Sequence, residues 1–222
     1  MENIFNVDEA DIFFRLLPKR TYLSRAENRK TAMGTKAMKA KDRVSAYMCT
    51  NTTGTGKVPI AIIGKSKSPR ATPCPVKYFA QANAWSDNAM FKKWWLDVSI
   101  PFIRQWTHLP VLLLMDGCAS HEDLVDPRGQ IKTMVYPPNC SSNHQPQDMG
   151  IIAATKRYYR KRFLEVRVST MSMADTLRKQ AKERKMVSGT IGLANRHPAH
   201  TLDADELLEA AWNDVTPATI AR

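Results

Sequence analysis

The sequence predicts an α/β fold, a central sheet with helices packed over it, and three observations carry that prediction. Val111 to Met115 (VLLLM) is an unbroken aliphatic run, too short for a typical helix and apolar in a way that suits a central strand covered on both faces. Phe91, Trp94, Trp95, Val98 and Phe102 recur at helical spacing, which draws one apolar face of a helix. The order of elements, strand, hairpin, helix, strand, strand, helix and further helices, is an α/β layer pattern. A chain of 222 residues with 43% apolar and 24% charged content can bury a real core and reads as one large domain, which excludes bulk disorder.

Taken in order, Ile4, Phe5 and Val7 form a short strand that ends at Asp8, with Glu9 and Asp11 following. Residues 15–46 carry ten basic side chains against Glu27 and Asp42 and read as a basic loop with a short strand inside it. Val44–Thr50 and Val58–Gly64 are β-rich and separated by the turn segment NTTGTGK, which predicts an antiparallel hairpin. That segment lacks the Walker spacing, so a hairpin turn explains its glycines better than a phosphate loop. After a proline-rich connection (SPRATPCPV) comes the aromatic helix, with Ser86 as its N-cap and Pro101 placed to kink or end it.

Leu109–Met115 is then a central strand that stops at Asp116, and Ile131–Tyr136 is another, closed by Pro137 and Pro138. Residues 145–168 (QPQDMGIIAATKRYYRKRFLEVRV) read as a long helix. Ile152, Tyr159, Phe163 and Val166 form its apolar stripe, and Lys156, Arg157, Arg160, Lys161, Arg162 and Arg167 clothe the rest. From Ser169 the chain is helix-prone, is interrupted by SGTIGLANRHPAH, and ends in an acidic helix with Asp203, Asp205, Glu206 and Glu209. The expected division is residues 1–168 and a helical C-terminal extension, 169–222.

Lys and Arg number 33 against 21 Asp and Glu, a formal charge of +12 with a pI near 9.7, which favours a polyanionic partner, nucleic acid before membrane. No apolar run approaches the roughly 20 residues of a membrane helix, and the opening MENIFNVDEADIFF lacks the basic start of a signal peptide. A soluble intracellular protein is expected. Cys49, Cys74, Cys118 and Cys140 are widely spaced, without a CxxC pair or paired histidines, so reduced thiols are expected in place of a zinc site or a disulfide framework.

Three acids stand where different elements could deliver them to one crevice at the end of a sheet: Asp8, Asp116 and Asp148. Carboxylates meeting at about 5 Å repel by roughly 3 kcal/mol per pair at an effective dielectric of about 20. Such a cluster calls for cations, and magnesium suits hard oxygen ligands completed by waters and phosphate oxygens. Two such ions about 4 Å apart activate a water and stabilise the leaving oxygen of a phosphodiester. Asp148 also fits a helix N-cap or first-turn acid, and His121 also reads as a packed or solvated histidine. Strand alternation sends Asp8 and Glu9 to opposite faces, and composition alone leaves open which of Asp8, Glu9 and Asp11 points inward.

NVDEADIFFRLLPKRTYL, KAKDRVSAYMCTNTTGTGKVPIAIIGKSKSPR, VLLLMDGCASH and VYPPNCSSNHQPQDMGIIAATKRYYRKRF resemble, in order, the blocks of the DDE superfamily endonuclease domain of pogo, Tigger and Jerky transposases and of relatives such as centromere protein B. The resemblance covers residues 3–168. It implies a ribonuclease-H-like fold, a central mixed sheet flanked by helices, with Asp8, Asp116 and Asp148 as the catalytic acids that hold two Mg2+ ions, Mn2+ serving as substitute. Glu9, His121 and Gln145 fall beside those ligands. Gly117 stands where the family has Asn and is followed by Cys118, so a polar group beside the second acid is missing, and Ala10 stands where the family often has Thr, which bears on activity while leaving the ligands intact.

The same resemblance implies metal-dependent DNA cleavage and strand transfer. The alternative is a domesticated DNA-binding or chromatin protein that keeps the fold without catalysis. DNA is then the expected partner, held through its phosphates by Arg15, Lys19, Arg20, Arg43, Lys156, Arg157, Arg160 and Lys161, with a homo-oligomer on DNA and the nucleus as compartment. The family's helix-turn-helix modules have no counterpart here, so a domain excerpt or a truncated, domesticated copy is expected.

Overall fold

The structure is a computed structural model and describes residues 2–14, 43–67, 74–137, 145–183 and 201–221. Six strands, β1 (Ile4–Ile12), β2 (Val44–Asn51), β3 (Ala61–Gly64), β4 (Lys77–Ala80), β5 (Val111–Met115) and β6 (Ile131–Val135), form one sheet in the order β4-β3-β2-β1-β5-β6. β2 is antiparallel to both β1 and β3, and every other pairing is parallel. A mixed sheet in which the second strand alone runs against the rest, flanked by helices, is the ribonuclease-H-like arrangement the resemblance implies.

The pleat sorts the core into two layers. Phe5 and Val7 of β1, Tyr47 and Cys49 of β2, and Val111, Leu113 and Met115 of β5 pack beneath α1 (Asn88–Trp94) and α2 (Ile100–Trp106), meeting Phe91, Trp94, Trp95 and Ile103. On the other face Ala10, Ile12, Ala46, Met48 and Ile62 pack against α3 (Ile152–Glu183) and α4 (Thr201–Asn213), through Ile152, Tyr159, Phe163, Leu208 and Trp212. A short α5 (Pro217–Ile220) follows.

The NTTGTGK turn fastens this last segment. Gly54 adopts φ +71, and a Cβ there would stand 2.7 Å from Pro217 Cα, so only glycine fits the contact. Lys57 Nζ donates to the carbonyls of Trp212 (2.6 Å) and Val215 (2.9 Å), satisfying the end of α4. The Trp212 indole donates to the Val58 carbonyl at 3.0 Å. Asp205, expected as part of an acidic helix face, is buried instead and accepts from the Cys74 thiol at 3.3 Å.

Several elements differ from their expected form. β1 runs on to Ile12, because β2 pairs with it from Phe5↔Asn51 to Ile12↔Val44; Asp8 therefore sits inside the strand and not at its end. β5 is one strand in from the edge, and Leu112 and Leu114 are only half-buried, so β1 and β2 hold the centre. β4 follows the proline-rich connection and adds a strand that no apolar run announces. Asp87, not Ser86, caps α1, its Oδ1 accepting from the Met90 N–H at 2.8 Å, while Ser86 Oγ lies 2.6 Å from Tyr47 Oη.

Pro101 does not end its helix. Residues Trp95–Ser99 form a π turn in which the Ile100 N–H reaches the Trp95 carbonyl, and the widened turn accommodates the proline, which can neither donate nor tolerate a close carbonyl four residues back. Val166 is exposed and not part of the α3 stripe. α3 runs without interruption through residue 168, where a division was expected, to Glu183. The short strand expected within the basic loop, Pro138, Cys140 and the SGTIGLANRHPAH interruption lie outside the described residues.

Replacing Trp212, fully buried under the hairpin, removes both packing and the indole hydrogen bond. Trp212→Ala is expected to cost about 3–5 kcal/mol, read as a lowered urea midpoint with the slope unchanged; a loss below about 1 kcal/mol would show that the C-terminal helix is not part of the cooperative core.

Candidate active site

The parallel register between β1 and β5 brings the first two acids to one place. Ile4↔Leu112, Phe5↔Leu113 and Asn6↔Leu114 are partners, and continuing the register two residues sets Asp8 beside Asp116, just past the end of β5. Asp8 follows the face of Asn6, the face covered by α3, while Asp116, past the end of β5, turns its Oδ1 to His121. Glu9, one residue on, points to the opposite face.

Asp148 comes from a third element, a π turn at Gln147–Ile151 that leads into α3. Gln147 fixes this turn. Its backbone N–H donates to Asn6 Oδ1, and its side-chain amide donates to the Asn6 carbonyl and to Thr50 Oγ1, each at 3.1 Å. Asn6 in turn donates through Nδ2 to the Leu114 carbonyl at 3.1 Å, so one asparagine ties β1, β5 and the acid-bearing turn together. Gly150 has φ 145, and a Cβ there would meet nothing within 4 Å; the backbone angle, not space, is what requires glycine at this point of the turn.

The electrostatics of the two strand acids run in opposite directions. Asp8 is 9% exposed, and burial, followed by the charges of Asp148, Glu9 and Asp116, raises its carboxyl to about 8, against a lowering by the Glu9 N–H that donates to Oδ1 at 2.7 Å. Asp116 is held below the ordinary carboxylate range, first by its hydrogen bond from His121 and then by the imidazolium charge and the Cys118 N–H. His121 Nδ1 lies 2.7 Å from Asp116 Oδ1, and Nε2 lies 3.1 Å from both oxygens of Glu9. Burial opposes charge on this ring, but the hydrogen bonds from it to Asp116 and Glu9 raise it to about 11, so it is an imidazolium held by two carboxylates.

The charges of both Asp148 and Asp116 are felt by the Asp8 carboxyl. Among the described residues no group of three or more His, Cys, Asp or Glu is placed so as to hold a metal ion. The donor set nonetheless fits a hard divalent cation: carboxylate oxygens only, one of them buried among like charges that a cation would neutralise. Gly117, where the family has Asn, leaves room for a side chain, since a Cβ would meet only Val135 Cγ1 at 3.9 Å, and the Cys118 N–H donates to Asp116 Oδ1 at 3.2 Å.

The other expected residues separate. Gln145 is fully buried with neither side-chain polar atom hydrogen-bonded among the described residues; the anchoring role belongs to Gln147, and the only sequence signal for it is the second glutamine of QPQD. Lys156 and Arg160 line a cavity of about 330 Å3 with Asp11, Ile12, Phe13 and Tyr159. Arg157 and Lys161 are exposed on α3. Arg43 binds Asp11 Oδ2 at 2.6 Å and lies 4.3 Å over the Trp85 ring. Arg162 is spoken for by a two-point pairing with Asp214. Arg15, Lys19 and Arg20 lie outside the described residues.

The DDE superfamily endonuclease model matches residues 41–222. Tigger transposable element-derived protein 7 of Homo sapiens is 31% identical over 182 residues, 74% of this chain and 32% of its own length. The Jerky protein homolog of Homo sapiens is 33% identical over 164 residues, 68% of this chain and 28% of its own length. Tigger transposable element-derived protein 4 of Mus musculus is 28% identical over 225 residues, 100% of this chain and 38% of its own length. The chain spans about a third of the length of these relatives. Among solved structures, the Mos1 transposase paired-end complex with left transposon end matches with a TM-score of 0.46 and 12% identity, over 100% of this chain and 56% of that chain. No helix among the described residues is long and apolar enough to cross a membrane.

Asp8 binds a proton more tightly folded than unfolded, so its contribution to stability is greatest below its unfolded value of 3.8 and declines as pH rises toward about 8. In metal-free buffer, Asp8→Asn is expected to gain on the parent protein as pH goes from 5 to 8, the difference in Tm widening by several degrees. Parallel Tm curves for the two proteins would show that Asp8 is not strained by its neighbours.

Proposed function

The chain belongs to the DDE superfamily endonuclease family, and from that premise we propose that it is the catalytic domain of a transposon-derived, metal-dependent DNA endonuclease and strand transferase. The observation that carries this reading is Asp8: a buried carboxyl lifted to about 8 by burial and by the charges of Asp148, Glu9 and Asp116, an arrangement that a structural role does not explain and a cation relieves. Asp8, Asp116 and Asp148 would hold two magnesium ions, which would supply charge neutralisation at the phosphodiester and a water of lowered pKa.

The chain's own groups prepare that chemistry. The Glu9–His121 pair orients Asp116 and keeps it ionised, so one ligand is set before any cation arrives. Gln147 and Asn6 hold the turn that presents Asp148. Lys156, Arg157, Arg160 and Lys161 lie along α3, which begins at that turn, and would bind the phosphates flanking the scissile bond without reading bases. The compartment that goes with such a substrate is the nucleus.

The second reading, a DNA-binding or chromatin protein without catalysis, rests on Gly117 and Cys118. The Cys118 N–H already donates to Asp116, which weakens that case. Purified protein with supercoiled plasmid and Mg2+ or Mn2+ is expected to give nicked circles, with Asp116→Asn lowering the rate by at least about a thousandfold. Nicking that survives Asp116→Asn would overturn the catalytic assignment, and salt-sensitive plasmid binding without nicking in either metal would establish the second reading.

A further inference from the structure

The residues around Trp85 do nothing for the acid cluster and yet are built with care. Trp85 is 56% exposed, and its neighbours are polar: Gln81, Asn83, Ser86 and Asp87. An isolated exposed tryptophan on a pliant loop would mean little. This loop is rigid. The Gln81 side-chain oxygen accepts from the N–H groups of Asn83 (2.6 Å) and Trp85 (3.3 Å), and the Gln81 carbonyl accepts from Ala84 N–H at 2.9 Å. Ala84, fully buried, adopts φ +52 and is the only non-glycine residue with positive φ among those described. Such a conformation is disfavoured for a residue with a Cβ, and strain held in place by its surroundings gathers at functional positions.

One face of the indole is occupied. The Arg43 guanidinium lies 4.3 Å over the ring and is fixed by Asp11 at 2.6 Å. The Ser45 hydroxyl stands 3.1 Å from the same Asp11 and 2.7 Å from the Ala84 carbonyl, so β1, β2 and the Trp85 loop share one brace. Asp11 also borders the cavity lined by Lys156 and Arg160, neither of which makes an ion pair among the described residues. Asp11 is three residues beyond Asp8 on the same strand, about 10 Å along it.

We propose that the outer face of Trp85 is a stacking platform for an unpaired DNA base, with the Lys156–Arg160 cavity taking an adjacent phosphate of the same strand. The inference rests on the DNA reading above and extends it to single-stranded DNA beside the acids. Stacking on an aromatic ring is tolerant of base identity, and a cation behind the ring strengthens it. An apolar protein partner fits poorly, since the Arg43 guanidinium lies over one face of the ring and Asn83, Ser86 and Asp87 flank it in the chain.

The test is fluorescence anisotropy in EDTA with two labelled DNAs, a blunt duplex and the same duplex with a single-stranded 3′ overhang carrying 2-aminopurine. The parent protein is expected to prefer the overhang and to quench the 2-aminopurine. Trp85→Ala should lose roughly tenfold or more on the overhang alone, and Trp85→Phe should keep most of the preference; urea midpoints should match, because the side chain is exposed. Equal overhang binding by Trp85→Ala, or an equal loss on both DNAs, overturns the platform while leaving the DNA reading intact. Failure of the parent protein to bind either DNA overturns both.

Discussion

The pleat of β1 sends consecutive side chains to opposite faces of the sheet, and the arrangement of the site follows from it. Asp8 goes to the α3 face, where burial and two further acids crowd it; Glu9 goes to the α1 face, where it meets a buried imidazolium. A shift of one residue in the pairing of β1 with β2 would exchange these destinations and put Glu9 beside Asp148. The register is set by the apolar residues on either side, Phe5 and Val7 on one face and Ala10 and Ile12 on the other. Packing energy far from any chemistry therefore decides which carboxylate serves it.

The consequence is an asymmetric pair of ligands. Asp116 is ionised by its hydrogen bond to His121, and the charge of that ring is balanced by Glu9. Asp8 has no cation among the described residues and meets only other acids and the Glu9 N–H. One ligand is ready in the free protein, and the other is released to bind only when positive charge enters. Buried like charges are expensive, so the cost of holding Asp8 in place is borne by the sheet.

Much of this was legible in the residues themselves. Two β-rich runs around NTTGTGK specify the hairpin, VLLLM followed at once by Asp116 marks a strand that delivers an acid, and the aromatic spacing from Phe91 to Phe102 specifies a helical face. What stayed hidden had no periodic signal. β4 is four residues long and only Phe79 is buried, which no pattern of alternation reveals. The stripe from Phe91 to Phe102 is equally consistent with a continuous α-helix, so the π turn before Pro101 does not show. Asp87 and Ser86 are adjacent and both good caps. Gln145 and Gln147 are chemically identical and two residues apart, and only the fold determines which one reaches Asn6 and Thr50. The pairing of Glu9 with His121 crosses 112 positions, beyond what local reasoning can join.

The clasp between the first hairpin and the last helices has a kinetic side. Lys57 reaches Trp212 across 155 positions, and the Trp212 indole reaches Val58 across 154. On a ribosome, the central strands would be complete long before their cover exists, leaving Met48, Ile60 and Ile62 facing water until α4 emerges. Closure of such distant contacts is slow, and half-covered sheets are prone to aggregate. Recombinant yield of this protein should accordingly respond to translation speed and chaperone supply more than to any change at the acids.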